Sequence, residues 1–189
     1  MIINTTWGVL ITSILATIGF IAGAVALIVT NKSAKNKMNC KKIKTVYIVV
    51  GVLFLLISSV SWVMNYGMLR EFYFILIICN LFLFLIANII SIFRIDESAG
   101  LRVLNTITYI SFVLAHISLP DLDILPDTGD LSSYFLFFRM IYSDSLSRIM
   151  FIVSVLLFAV NSVLLIVQLV AASKVTKAIA NQNTTDQPS

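Results

Sequence analysis

WGVLITSILATIGFIAGAVALIV, residues 7–29, runs for twenty-three residues without a charge, and its length decides which solvent this chain is built for. At about 1.5 Å of rise per residue, a helix of that length reaches roughly 34 Å, enough to cross a hydrocarbon layer of ~30 Å. A secretory signal has an apolar core of only about 7–15 residues behind a positive segment. Here no Lys or Arg precedes Trp7. The run reads as a retained transmembrane helix with its N-terminus outside.

Working outward, four more charge-free stretches follow: Thr45–Met64, Phe72–Phe93, Val103–Leu119 and Ile149–Ser173. The chain of 189 residues is 59% hydrophobic and 12% charged, against about 25% charged residues in an ordinary soluble domain. With a mean hydropathy of +1.01, more apolar surface is present than a water-borne core of this size can bury, so lipid must cover the rest. The expected fold is an all-α, polytopic membrane bundle forming one domain over residues 1–180. The polar tail NQNTTDQPS, residues 181–189, reads as disordered.

Between the first two runs lies NKSAKNKMNCKKIK, residues 31–44, with six lysines (Lys32, Lys35, Lys37, Lys41, Lys42 and Lys44) and no acid. Short loops on the cytoplasmic side collect Lys and Arg, so this loop reads as inside. Five spans then leave ten Lys and Arg inside and three outside. Omitting Val103–Leu119 gives four spans and the same ten and three, so the basic residues do not separate the two layouts. Five spans put Asp121, Asp123, Asp127, Asp130 and Asp144 outside, and five is the reading taken, with the C-terminus inside. A bacterial inner membrane is the expected location. The Val103–Leu119 run carries Asn105, Thr106, Thr108, Ser111, His116 and Ser118 and suits a helix shielded by its neighbours rather than one facing lipid.

The segment 120–148 is the one sizeable stretch outside the spans apart from the tails. It begins PDLDILPDTGD and continues LSSYFLFFRMIY. The second part is too short to span, and its aromatic residues suit an interfacial or re-entrant helix; no period-two alternation points to strands. Leu125–Gly129, LPDTG, resembles the sorting signal of sortase-anchored surface proteins, but Arg139, Asp144 and Arg148 interrupt the apolar run that should follow it. DTG by itself resembles an aspartic-protease motif without the strand-rich domain that motif needs, and the four aspartates of 121–130 lack EF-hand order. An acidic loop with a Pro- and Gly-set turn accounts for the segment.

Catalytic, metal and cofactor sites are not expected. His116 is the only histidine, and Cys40 and Cys79 have no metal spacing and no disulfide framework. No nucleophile elbow, phosphate loop or dinucleotide fingerprint occurs, so the chain does not read as an enzyme. The pI of about 9.2 reflects topology signals, and without aromatic residues among them the lysines do not suit sequence-specific nucleic-acid binding.

The spans carry order of another kind. Ser147, Ser154, Asn161 and Gln168 recur every seven residues, as do Gly51, Ser58 and Asn65, and Gly19 and Gly23 form a small-residue pair. In lipid such stripes mark helix–helix contacts. They suit packing within the chain first, a seam of a homo-oligomer second and a pore lining third. The lysines serve topology, or in the sharper reading dock an acidic cytosolic partner.

In size, in span number to within one, and in its basic cytoplasmic loop, the chain resembles the membrane component of the bacterial Kiwa anti-phage system, a small helical membrane protein that works with a cytosolic DNA-binding subunit. The resemblance rests on layout and transfers no residue. It implies an oligomeric membrane scaffold or sensor that holds an effector at the cytoplasmic face. A toxin-immunity protein and an accessory subunit of a channel or transporter are the competing expectations.

Overall fold

Each charge-free run lies within or largely overlaps one helix of the computed structural model, which describes residues 6–34, 40–64, 71, 73–119, 121–124, 131–134 and 144–185. The helices are α1 (Thr6–Ala34), α2 (Cys40–Met64), α3 (Phe74–Ile92), α4 (Ala99–Ser118) and α5 (Asp144–Thr185). All five are long and apolar enough to cross a membrane. None contains a proline, so every internal N–H keeps its i−4 carbonyl, as the hydrocarbon requires.

The cross-helix contacts show how the helices alternate. Tyr47 on α2 meets Arg102 and Thr106 near the start of α4, and Ser61 meets His116 near its end, so α2 and α4 run in the same direction. Ser154 on α5 meets Ala115, and Asn161 meets Ser111, so α5 runs against α4. Asn80 and Asn88 on α3 meet Asn161 and Gln168, so α3 and α5 run together. One end of the bundle therefore gathers Asn31, Lys44, the α3–α4 turn and the last turns of α5.

Helix α4 packs against all four other helices. It is also the most polar of the five runs, and the shielding its composition calls for is present: Asn105, Tyr109 and Phe112 are fully buried and His116 nearly so. Phe84 stacks on Phe112 at 3.8 Å between ring centroids, and Phe54 and Tyr47 close around Tyr109. The outward faces carry Leu15, Val49, Leu56, Ile75, Ile152 and Val163, all more than half exposed. That is a lipid-facing surface, since water-soluble monomers rarely leave apolar patches of this extent uncovered. Gly23 lets α1 approach α2 closely, because a Cβ there would overlap the Phe54 ring.

Three boundaries differ from the sequence reading. Helix α4 starts at Ala99, ahead of Val103, because Ser98 caps it: its Oγ accepts the Leu101 N–H at 3.3 Å. This brings Arg102 into the first turn. Between α4 and α5 a two-stranded antiparallel hairpin forms, β1 (Asp121–Ile124) paired with β2 (Leu131–Tyr134), in the register Asp121 to Tyr134. Strands were not expected, and Leu131–Tyr134 is extended where an interfacial helix was. Four-residue strands are too short for a periodicity test, and the Pro- and Gly-containing stretch between them is the composition of a hairpin connection. The remainder of the aromatic stretch, 135–143, and the whole LPDTG motif, 125–129, lie outside the described residues. Finally, α5 continues to Thr185, into the 181–189 segment read as disordered. Ala, Lys and Gln after Ser173 are good helix formers, and the helix propagates from a packed span.

Candidate functional site

Two sets of polar residues stand out in the bundle: a seam of neutral amides in its interior, and a basic end.

The seam lies where α3, α4 and α5 meet. Asn161 Nδ2 donates to Asn80 Oδ1 at 3.0 Å, Asn80 Nδ2 donates to Ser162 Oγ at 3.1 Å, and Ser111 Oγ donates to Asn161 Oδ1 at 2.9 Å. Two turns along α5, Gln168 Nε2 donates to Asn88 Oδ1 at 3.1 Å and to Ser91 Oγ at 2.8 Å, and Asn105 Nδ2 reaches the same Ser91 Oγ at 2.9 Å. At the other end of α5, Ser154 Oγ donates to the Ala115 carbonyl at 3.0 Å. Ser154, Asn161 and Gln168 are fully buried within one chain. Ser154, Asn161 and Gln168 thus bond helices of the same molecule. A seam between copies needs an outward face, and these three residues present none.

Gly19 and Gly23 likewise face α2 of their own chain, against Ile57 and Leu53, and Phe54 and Val50, respectively. Gly51 lies against the Tyr109 hydroxyl and Ser58 is buried, while Asn65 lies outside the described residues. The α3 partners of the seam, Asn80, Asn88 and Ser91, were not singled out from sequence. The signal was available: besides Cys79 they are the only polar side chains between Phe74 and Ile92, and they fall within one helical arc. The seam groups are amides and hydroxyls, which bond one helix to the next.

At the basic end the lysines divide. Lys44 Nζ pairs with Asp96 Oδ2 at 3.0 Å and donates to the Phe93 carbonyl at 3.4 Å, fastening α2 to the α3–α4 turn. Arg102 is buried, and its Nη1 donates to the Ile95 and Asp96 carbonyls at 3.2 and 3.1 Å. These carbonyls belong to the α3–α4 turn, so the guanidinium ties that turn to the start of α4. Beside it the Tyr47 hydroxyl lies 2.8 Å from Thr106 Oγ1, and Asn31 Nδ2 donates to that same Oγ1 at 2.8 Å, which joins α1, α2 and α4. Lys32, Lys41 and Lys42 are exposed, as are Lys174 and Lys177 on the far part of α5. Lys35 and Lys37 lie outside the described residues. Of the six loop lysines, Lys44 is therefore engaged in holding the fold, and Lys32, Lys41 and Lys42 face outward.

Two clefts open on the sides of the bundle. One, of about 330 Å³, lies between α3 and α5 and is lined by Leu76, Cys79, Asn80, Val155, Phe158 and Ser162. The other, of about 260 Å³, lies between α2 and α3 and includes Ile48, Val52, Phe84, Ile89 and Tyr109. Among the described residues no group of His, Cys, Asp and Glu is placed to hold a metal ion, and Cys40 and Cys79 are both free thiols at the surface.

No family model matches the chain, and no curated protein or solved structure matches it.

Proposed function

We propose that the protein is a non-enzymatic membrane scaffold or sensor that crosses a bacterial inner membrane five times, with its N-terminus outside, and holds an acidic cytosolic protein at the inner face. One observation carries this reading: exposed lysines and a projecting helix occur at the same end. Lys32, Lys41 and Lys42 are exposed there, and α5 runs on past Ser173, the last residue of its charge-free run, to Thr185. Residues 174–185 add roughly 18 Å of helix beyond the span, carrying exposed Lys174 and Lys177. A protein held by five spans has no need of so many lysines for anchoring, and loops and projecting ends are where such proteins meet partners.

In the setting its layout resembles, anti-phage defence, the partner is a soluble DNA-binding subunit and the membrane protein acts as an oligomer. Copies would then meet through the apolar outer faces, because the polar stripe is already used within each copy.

The test separates docking from topology. Lys32→Gln combined with Lys42→Gln removes two exposed charges and leaves the Lys44–Asp96 pair alone. Co-purification from mild detergent should lose the partner, and the wild-type complex should weaken as salt rises from physiological levels, where screening acts over roughly 8 Å. Orientation is read on the same variant by labelling single cysteines at Ser132 and Asn183 in a background without Cys40 and Cys79. Ser132 should react from outside and Asn183 should be protected. Partner retained at every salt concentration would overturn docking, and the reverse labelling at both sites would overturn the orientation.

A further inference from the structure

The groove between α2 and α3 ends at Phe93, whose carbonyl accepts a hydrogen bond from Lys44 Nζ. Its floor is Gly51 and Tyr109, where a Cβ on Gly51 would come within 3.1 Å of the Tyr109 hydroxyl. Tyr109 of α4 occupies the space that a side chain at position 51 would take and so closes the floor of the groove. The lips are apolar and open sideways: Ile48 and Val52 on α2 are about half exposed, at 49% and 52%, and Ile89 on α3 and Phe93 just past its end are 58% and 66% exposed. At about 100° per residue, Lys41, Lys44, Ile48, Val52 and Leu55 fall in one narrow arc of α2. The stripe that borders the groove therefore continues into two lysines, about 6 and 10 Å below Ile48 along the helix axis.

We propose that this groove holds an acyl chain of an anionic phospholipid from the lysine-side leaflet, with the lipid phosphate against Lys41 and Lys44. Lys44 Nζ is held at the mouth by the Phe93 carbonyl at 3.4 Å and by Asp96 at 3.0 Å, and it stays one-third exposed. Asp96 and exposed Glu97 are the acids of this turn. Lys41, Lys42, Lys44 and Arg94 outnumber them, while Arg102 is turned inward to the Ile95 and Asp96 carbonyls. The mouth is therefore net positive where headgroups lie. The groove above it is apolar and opens through side chains at hydrocarbon depth, which an acidic peptide from the cytosol has no means of filling. Apolar groove and basic mouth together match the two ends of one lipid.

The inference goes beyond partner docking and is tested at Lys41, which the docking variant Lys32→Gln with Lys42→Gln leaves in place. It is tested by native mass spectrometry of the full chain, delipidated and then offered phosphatidylglycerol or phosphatidylcholine with identical acyl chains. The wild type should retain phosphatidylglycerol in preference. Lys41→Gln should cut that preference about five-fold, the equivalent of about 1 kcal/mol for one lysine near a phosphate. Ile48→Trp or Ile89→Trp, each at an exposed lip that tolerates bulk, should fill the groove and abolish retention of both lipids. Equal retention of the two lipids by the wild type would overturn the proposal. So would an unchanged preference in Lys41→Gln, unchanged retention in both tryptophan variants, or a dimer that those variants dissociate in place of a lipid.

Discussion

Replacing Asn161 by Leu tests whether the interior amides hold one chain together or join several. Asn161 is fully buried. It accepts from Ser111 at 2.9 Å and donates to Asn80 at 3.0 Å, so the substitution removes two interhelical bonds. Such bonds average about 0.6 kcal/mol in a bilayer and reach about 1.7, which sets a lower bound near 1 kcal/mol. Ser111 keeps its second bond, to the Thr108 carbonyl at 3.0 Å. Asn80 Oδ1, buried beside it, loses the bond from Asn161, and stranding a buried acceptor costs about 1–3 kcal/mol. The expected destabilisation is therefore about 1–3 kcal/mol, read as unfolding of the detergent-solubilised monomer. Adding Asn80→Leu removes the stranded group, so the double variant should be less destabilised than the two single variants combined, with a coupling of about 0.6–1.7 kcal/mol. A monomer within about 0.3 kcal/mol of wild type would refute the reasoning, and an intact monomer whose oligomer dissociates would move the stripe to an interface between copies.

Gly23→Ala should destabilise by about 1–3 kcal/mol through overpacking against Phe54 and Val50. Gly19→Ala, whose Cβ meets Ile57 and Leu53 at 3.4 and 3.6 Å, should be close to neutral; equal effects in thermal unfolding would deny the tight α1–α2 contact. Arg102→Gln should cost about 1.5–3 kcal/mol per charge-assisted bond to the Ile95 and Asp96 carbonyls of the turn. Lys44→Gln, at a partly exposed pair, should cost no more than about 1 kcal/mol, and a larger loss for Lys44 than for Arg102 would place the fastening of the α3–α4 turn on the wrong residue.

The helices were legible because lipid leaves the chain few options. A charge-free run of this length has to be a helix whose backbone bonds to itself, and each such run marks one helix closely. The stripe of Ser154, Asn161 and Gln168 was equally legible as a contact face, since an amide in hydrocarbon needs a partner. Its partners were not, because seven-residue spacing on α5 says nothing about whether the matching amide stands on α3 of the same chain or on another copy. The hairpin escaped detection for want of length: DLDI does alternate, but four residues of alternation are common by chance. Arg102 and Lys44 read as topology charges, and their structural roles depend on a turn whose course is set by tertiary packing. No local pattern announces that a guanidinium will fold back onto carbonyls six and seven residues earlier.

The position of α4 links these particulars to function. Its composition would make it the poorest span if it faced lipid, yet the bundle encloses it. Asn105, Thr106, Ser111 and the Ser118 end are all buried, and their bonds reach α1, α2, α3 and α5 by way of Asn31, Tyr47, Ser91 and Asn161. The polar groups that look costly in the sequence are thus the ones that set register among the apolar helices, a task that lipid-like side chains perform poorly because many packings of Leu and Ile are nearly equal in energy. Once used in this way they are committed: opening a path along the seam would break several buried amide bonds at once. Activity that calls for accessible charge is then left to the ends of the molecule. At the lysine end the structure supplies that charge together with a helix reaching out of the span.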